Sequence, residues 1–294
     1  MTPSAPPGPV GEPPPPRFTL VTPCFNAAAR IEATMLSVLE SHGVLSGHVT
    51  VDYRIQDGGS QDGTVDLARA LAQRYHGRGG LRVTVESLPD RGMYQALARG
   101  LGASCGELVG YLNAGDYYSP HALEVVDRLM RRPGVDWLTG MQVRYTEAGW
   151  LVAATLPPGY DQGLIRRGAY GRRLNFIQQE STFWRRSLHD LVDWERLAGY
   201  RRAGDLYLWS CLARRVPLTV AGVWLGGFKV HAGALSADQG AYWAEAEDFL
   251  EPAAPLDALR CLGERLAWYL PPRWKKRRNS RHLLLFDHQR DDFV

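Results

Sequence analysis

No apolar run in the chain approaches the roughly 20 residues that span a bilayer, so any work at a membrane is done from its surface. Cysteine is scarce: Cys24, Cys105, Cys211 and Cys261 show no short paired spacing. Neither a zinc knuckle nor a disulfide framework is suggested, and a reducing cytoplasm is the simplest setting. Charge of one sign is lacking too, with Lys+Arg 34 against Asp+Glu 31 and a formal net charge of +3. This balance does not mark a nucleic-acid partner. No repeat of solenoid period is present. Residues 1–16 are rich in Pro and Gly and lack an apolar segment, so they read as a disordered leader and not as a secretory signal.

What remains is ordinary globular material. Of 294 residues, 45% are hydrophobic and 22% charged, enough for a sizeable core in one large domain or a domain with an accessory region. Strand-like runs at 18–22, 49–55, 81–86 and 108–112 alternate with helical spacing at 29–40, from 64 onward, and at 92–104. Such alternation predicts an α/β fold with a mostly parallel sheet covered by helices. Beyond it, the pattern predicts a helix at 121–131, one strand at 137–145, a Gly- and Arg-rich loop at 159–171, and helices at 183–192 and 206–213. From about 241 an amphipathic tail follows, holding Trp274-Lys275-Lys276-Arg277-Arg278.

Ligands of parallel sheets bind beyond the carboxyl ends of the strands, and the polar clusters sit there. Asn113-Ala114-Gly115-Asp116 follows the fourth strand; a carboxylate between small residues can hold Mg²⁺ or Mn²⁺ against a diphosphate. The alternative is a turn Asp ahead of Pro120. Asp57 ends the second strand in Gln56-Asp57-Gly58-Gly59-Ser60-Gln61-Asp62-Gly63-Thr64, placed either to accept hydrogen bonds from a base or ribose or to make an ordinary βα turn. That segment is neither GxxxxGK[ST] nor GxGxxG, so the usual P-loop and dinucleotide fingerprints do not apply.

Together, Val21-Thr22-Pro23-Cys24-Phe25-Asn26, Asp57-Gly58-Gly59-Ser60-Gln61-Asp62-Gly63-Thr64, Asp90-Arg91-Gly92-Met93-Tyr94 and Leu112-Asn113-Ala114-Gly115-Asp116 resemble family 2 glycosyltransferases, inverting enzymes with the GT-A fold. Three later segments extend the resemblance to about Tyr242: Gln179-Glu180-Ser181-Thr182-Phe183-Trp184, Ala203-Gly204-Asp205-Leu206 and Gly226-Gly227-Phe228-Lys229-Val230-His231. They narrow it to a bacterial surface-polysaccharide type. The GT-A fold is Rossmann-like, here with an acceptor side and a helical tail region at the C-terminus. The resulting division is 1–16 leader, 17–118 nucleotide-sugar half, 119–240 acceptor and catalytic half of the same domain, and 241–294 helical, basic tail.

The resemblance implies roles. Pro23, Asn26 and Asp57 line the nucleotide pocket, with Asp57 on the base, and Asp90 and Arg91 lie near the ribose or diphosphate. Asn113 and Asp116 take the place of the Asp-x-Asp metal motif; only the second carboxylate is kept, which leaves Asp116 as the metal ligand. Gln95 and Ala98 replace an Asp and an Asn common in the family. Asp205 is the candidate general base or a helix N-cap. Glu180 is a second acid, able to orient the acceptor or to pair with Arg185 or Arg186. His231 is either a diphosphate contact or a structural histidine.

The implied activity is sugar transfer from a nucleotide-sugar to a glycan or lipid-linked glycan. Nucleotidyl transfer is disfavoured, because residues 22–30 hold no glycine and one Arg where a triphosphate wants a Gly-rich basic loop. A catalytically impaired nucleotide-sugar binder is the remaining alternative, kept open by Asn113, Gln95 and Ala98. The protein is expected in the cytoplasm. The basic tail is either a solvated helix end or a peripheral contact with the inner face of the membrane.

Overall fold

The computed structural model describes residues 16–229 and 239–294. The first strand, β1 (Phe18–Cys24), leads through α1 (Ala28–Leu39) and the short α2 (His42–Leu45) to β2 (Val51–Asp57). Helix α3 (Thr64–Arg74) then leads to β3 (Leu81–Ser87), and α4 (Met93–Gly102) to β4 (Leu108–Tyr111). β2 pairs in parallel with β1 and β3, while β4 pairs in parallel on the other side of β1. Parallel neighbours require a crossover, and helices supply each one.

Every residue of β1 is buried, as both faces are covered. Phe18 and Leu20 pack with Ile31, Met35 and Val38 of α1 and with Leu71 of α3. Val21 points to the opposite layer, with Leu97 and Leu101 of α4, Tyr111, and the indoles of Trp137, Trp184 and Trp209. The chain leaves β1 toward β2 on one side and returns to β4 on the other. This reversal opens a crevice at the carboxyl ends of β1 and β4.

The second half continues as β5 (Tyr117–Tyr118), α5 (Ala122–Met130), β6 (Trp137–Thr139), β7 (Gln142–Tyr145), β8 (Leu151–Thr155), α6 (Gln162–Arg166) and α7 (Ala169–Arg172). β9 (Phe183–Arg185), α8 (Trp194–Gly199), α9 (Gly204–Leu212), β10 (Thr219–Ala221) and β11 (Gly226–Lys229) follow. Three expectations fail here. The strand expected at 137–145 is two strands: β6 lies in the main sheet, β7 in a four-stranded sheet ordered β5-β11-β7-β8. Gly140 sits at the crossing, where a Cβ would come within 2.7 Å of the Val223 carbonyl oxygen.

The helix expected at 183–192 is instead β9, antiparallel between β4 and β6, followed by a 3₁₀ turn. Successive side chains explain it. Phe183 meets Phe18 and Tyr118, whereas Trp184 meets Tyr111 and Trp209 in the other layer; neighbours on opposite faces are a strand's signature. The loop expected at 159–171 contains α6, capped by the Asp161 carboxylate accepting the Leu164 amide at 2.8 Å.

The C-terminal segment holds α10 (Gln239–Ala246), α11 (Asp257–Trp268) and α12 (Pro272–Arg278), then β12 (Leu283–Leu284). β12 pairs in parallel with β10, giving an eight-stranded sheet ordered β12-β10-β6-β9-β4-β1-β2-β3. The tail thus supplies an edge strand as well as helices. Part of its basic run also works inside the fold: Lys275 is buried and donates to the Leu156 carbonyl at 2.7 Å, and Lys276 donates to those of Ser280 and Leu283 at 2.8 and 2.6 Å.

Candidate active site

The loops after β1 and β2 are stitched together. The Asn26 amide donates to the Ser60 hydroxyl at 2.7 Å, and the Asn26 side-chain oxygen accepts the Gln61 amide at 3.1 Å. Thr64 accepts the Ala27 amide at 2.8 Å and Asp62 accepts that of Ala28 at 3.0 Å. Asn26 has a φ of 45°, a left-handed conformation that Asn tolerates better than most residues. Asp57 lies beneath, fully buried. Its carboxylate accepts the amides of Gly59 and Ser60 at 2.9 Å each, the Ser87 hydroxyl at 2.7 Å, and the Ser60 hydroxyl. Burial pushes this carboxyl up, but the hydrogen bonds from Ser60, Ser87 and Gly59 outweigh it and hold it below the usual range.

The Asp57 carboxylate and the Asn26 amide and side-chain oxygen are thus engaged in shaping this loop, and neither residue is among those lining the cleft. Asp57→Ala is therefore expected to destabilise the protein by about 1–3 kcal/mol, as amides and hydroxyls lose their acceptor, with weaker nucleotide binding as a consequence. A melting curve alongside a nucleotide titration checks this. An unchanged melt with lost affinity would return Asp57 to direct contact with the base.

The cleft itself has a volume of about 1120 Å³ and opens at the reversal point of the sheet. Pro23, Asp90, Arg91, Asn113, Asp116, Glu180 and Asp205 all line it, although they come from segments up to the whole domain apart in sequence. Asp90 accepts the Gly92 amide at 2.9 Å, and the Arg91 amide donates to Gln95 at 2.8 Å, so Gln95 serves the backbone of the turn before α4. Sequence reading missed four basic lining residues: Arg30 on α1, Arg144 on β7, and Arg201 and Arg202 ahead of α9. Isolated arginines carry no spacing signal, although Arg201 and Arg202 stand just before the Ala203-Gly204-Asp205 segment.

Three carboxylates form the floor. Asp116 is buried, and one of its oxygens accepts the Lys229 amide at 3.0 Å. Its backbone is pinned by Thr34, whose hydroxyl donates to the Asp116 carbonyl and accepts the Gly115 amide, both at 2.8 Å. Burial pushes the Asp116 carboxyl up to about 7, against the pull of the Lys229 amide and the Arg30 and Lys229 charges. Glu180, in the 3₁₀ turn Gln179–Ser181, is buried and accepts a hydrogen bond from Gln178. Burial first, and the nearby Asp116 charge second, push it up to about 8, with Asp205 adding to the effect. Close packing fixes this turn: a Cβ on Gly226 would fall 2.0 Å from the Glu180 carbonyl oxygen.

Asp205 is the third. Its carboxylate accepts the Tyr242 hydroxyl at 3.0 Å and the Leu206 amide at 2.8 Å, and burial raises its pKa. It is not the cap of α9. Ala203 occupies that position, and Glu245 of α10 accepts the amides of Arg201, Arg202 and Ala203 at 2.7 Å each. Glu245 is thus a supporting residue that sequence reading missed, and Asp205 has no capping duty.

These groups fit a divalent cation. Oxygen donors suit Mg²⁺ or Mn²⁺, and buried carboxylates lining one cleft favour positive charge there. Asn113 donates to Gln179 at 3.1 Å, while its side-chain oxygen is buried without a hydrogen-bond partner among the described residues. Asp116 and Asn113 both line the cleft and offer it acceptor atoms. His231, a possible diphosphate contact by sequence, lies outside the described residues.

No curated protein matches the chain. Solved structures share its fold. TarS from S. aureus aligns with a TM-score of 0.57 at 14% identity, over 88% of this chain and 41% of TarS, so the chain spans less than half of that protein. A shorter TarS form in complex with UDP-GlcNAc aligns with a TM-score of 0.56 at 14% identity, over 88% of this chain and 69% of that one. The mannosyltransferase PcManGT from Pyrobaculum calidifontis, in complex with GDP-Man and Mn²⁺, gives 0.57 at 18% identity, over 90% of this chain and 73% of that one. The α/β architecture is therefore the GT-A fold. The family model of glycosyl transferase family 2 matches residues 19–203, from β1 to the residue that opens α9, and the chain belongs to that family and is a glycosyltransferase.

Proposed function

We propose that the chain transfers a sugar with inversion from a nucleoside-diphosphate sugar to a hydroxyl of a glycan or lipid-linked glycan, assisted by Mg²⁺ or Mn²⁺. One observation carries this reading: Asp116, Glu180 and Asp205 come from three separate segments and meet in one cleft that also holds several arginines. Support from outside the chain comes from the UDP-GlcNAc in one similar structure and the GDP-Man and Mn²⁺ in another.

In this reading the donor lies along the loops after β1 and β3. Pro23 borders the base, Asp90 and Arg91 the ribose and diphosphate. Asp116 and Asn113 would hold the divalent ion, which would supply positive charge against the departing diphosphate. The acceptor oxygen attacks the anomeric carbon as the bond to the diphosphate oxygen breaks, and the bonding pair leaves with the diphosphate. Asp205 takes the acceptor's proton, and Tyr242 orients its carboxylate. Glu180, biased toward its neutral form, donates a hydrogen bond to the sugar or the acceptor.

A base must be ionised to act. With the Asp205 pKa raised, kcat is expected to fall with decreasing pH along a limb above the ordinary Asp value of about 4. A pH–rate profile checks this, and a flat profile down to that ordinary value would remove Asp205 from the role. Donor identity is tested by a thermal-shift screen of UDP-, GDP- and dTDP-sugars with Mn²⁺, in which the true donor raises the melting temperature. Protection by none of them would count against the donor site.

A further inference from the structure

We propose that the outer face of α11 and the start of α12 dock on the surface of an anionic lipid bilayer. Helix α11 buries Asp257 and Cys261 on its inner side, where Trp268 also borders the cleft. Leu259, Leu262, Leu266 and Tyr269 run along the opposite side at helical spacing, exposed by 66, 51, 63 and 83%. Single exposed leucines are ordinary; a continuous row on one helix face marks a binding surface. Trp274 extends the row, and Trp and Tyr are the side chains that settle at headgroup level.

Charge selects the occupant. Residues 256–281 hold eight Lys and Arg and two acids. Both acids are engaged within the protein, Asp257 with Arg167 at 2.7 Å and Glu264 with Arg278 at 2.5 Å. The apolar row is therefore flanked by the exposed Arg260, Arg265, Arg273 and Arg277 with no exposed carboxylate in the segment. That combination fits a helix lying in the interface of an anionic membrane. A second copy packed on the same face would bring arginines against arginines. No helix among the described residues is long and apolar enough to cross a membrane, so the contact is a surface one. The leucines and arginines make it, since Lys275 and Lys276 are tied into the fold. Docking does not depend on the sugar-transfer reading, although it would bring the cleft near a lipid-linked acceptor.

The test is sedimentation of the full chain with vesicles of phosphatidylcholine alone or mixed with phosphatidylglycerol. Wild type is expected to pellet with the mixed vesicles and to bind the neutral ones at least about tenfold more weakly. Leu259→Gln with Leu266→Gln, and separately Arg260→Gln with Arg273→Gln, should each reduce binding at least about tenfold. All four side chains are exposed, and unchanged circular dichroism and melting would confirm an intact fold. Wild type that stays in the supernatant, or a leucine variant that pellets as wild type does, overturns the proposal. So does a wild-type dimer in light scattering that the leucine variant converts to monomer, since a second copy would then cover the face.

Discussion

Asp205→Asn is expected to lower kcat by about 10²–10⁴-fold while donor affinity stays nearly unchanged. A general base acts on the acceptor's proton, on the far side of the anomeric carbon from the nucleotide, so its loss falls on the transition state. The substitution keeps shape and removes basicity. It also leaves helix α9 in place, because Glu245 holds the amides ahead of that helix and Asn can still accept from Tyr242. Single-turnover rates and donor titrations on the variant separate chemistry from binding. Transfer at near wild-type rate would acquit Asp205 and make Glu180→Gln the next variant.

Asp116→Asn is expected to weaken metal-dependent nucleotide binding by at least about tenfold, since changes merely adjacent to metal ligands cost about 10–100-fold. The same variant should melt no earlier than wild type. The Asp116 carboxyl has a raised pKa in the folded protein, so its contribution to stability declines as pH rises from the ordinary carboxylate range toward about 7. Asn carries no such charge, and in chelator at neutral pH it should melt later than wild type. Earlier melting would mean that Asp116 is structural; unchanged binding with metal would remove it as the ligand.

The first half of the fold was legible because its long helices show their period and its strands end in polar clusters, whereas the four-residue α2 was too short to read. The same clusters named Pro23, Asp90, Arg91, Asn113 and Asp116, which line the cleft, while Glu180 and Asp205 came from the later segments of the resemblance. The internal contacts of Asp57 and Asn26 were not legible for a physical reason: an Asp-Gly-rich turn can face a ligand, hold itself together, or do both, and its sequence does not give the positions of Ser60, Ser87 and the local amides. The second half was harder to read. Phe183-Trp184 is an apolar pair too short for periodicity to separate strand from helix, and β12, at two residues, has no period at all. Glu245 and Thr34 act through backbone groups far away in sequence, so no spacing could have revealed them.

The most direct test of the central claim is release of free nucleoside diphosphate by the purified chain from a panel of nucleotide-sugars with Mn²⁺. The account predicts release above background from at least one donor, abolished by chelation and in Asp116→Asn, and strongly reduced in Asp205→Asn. Release that persists unchanged in both variants, or a chain that neither binds nor turns over any donor in the panel, would contradict it.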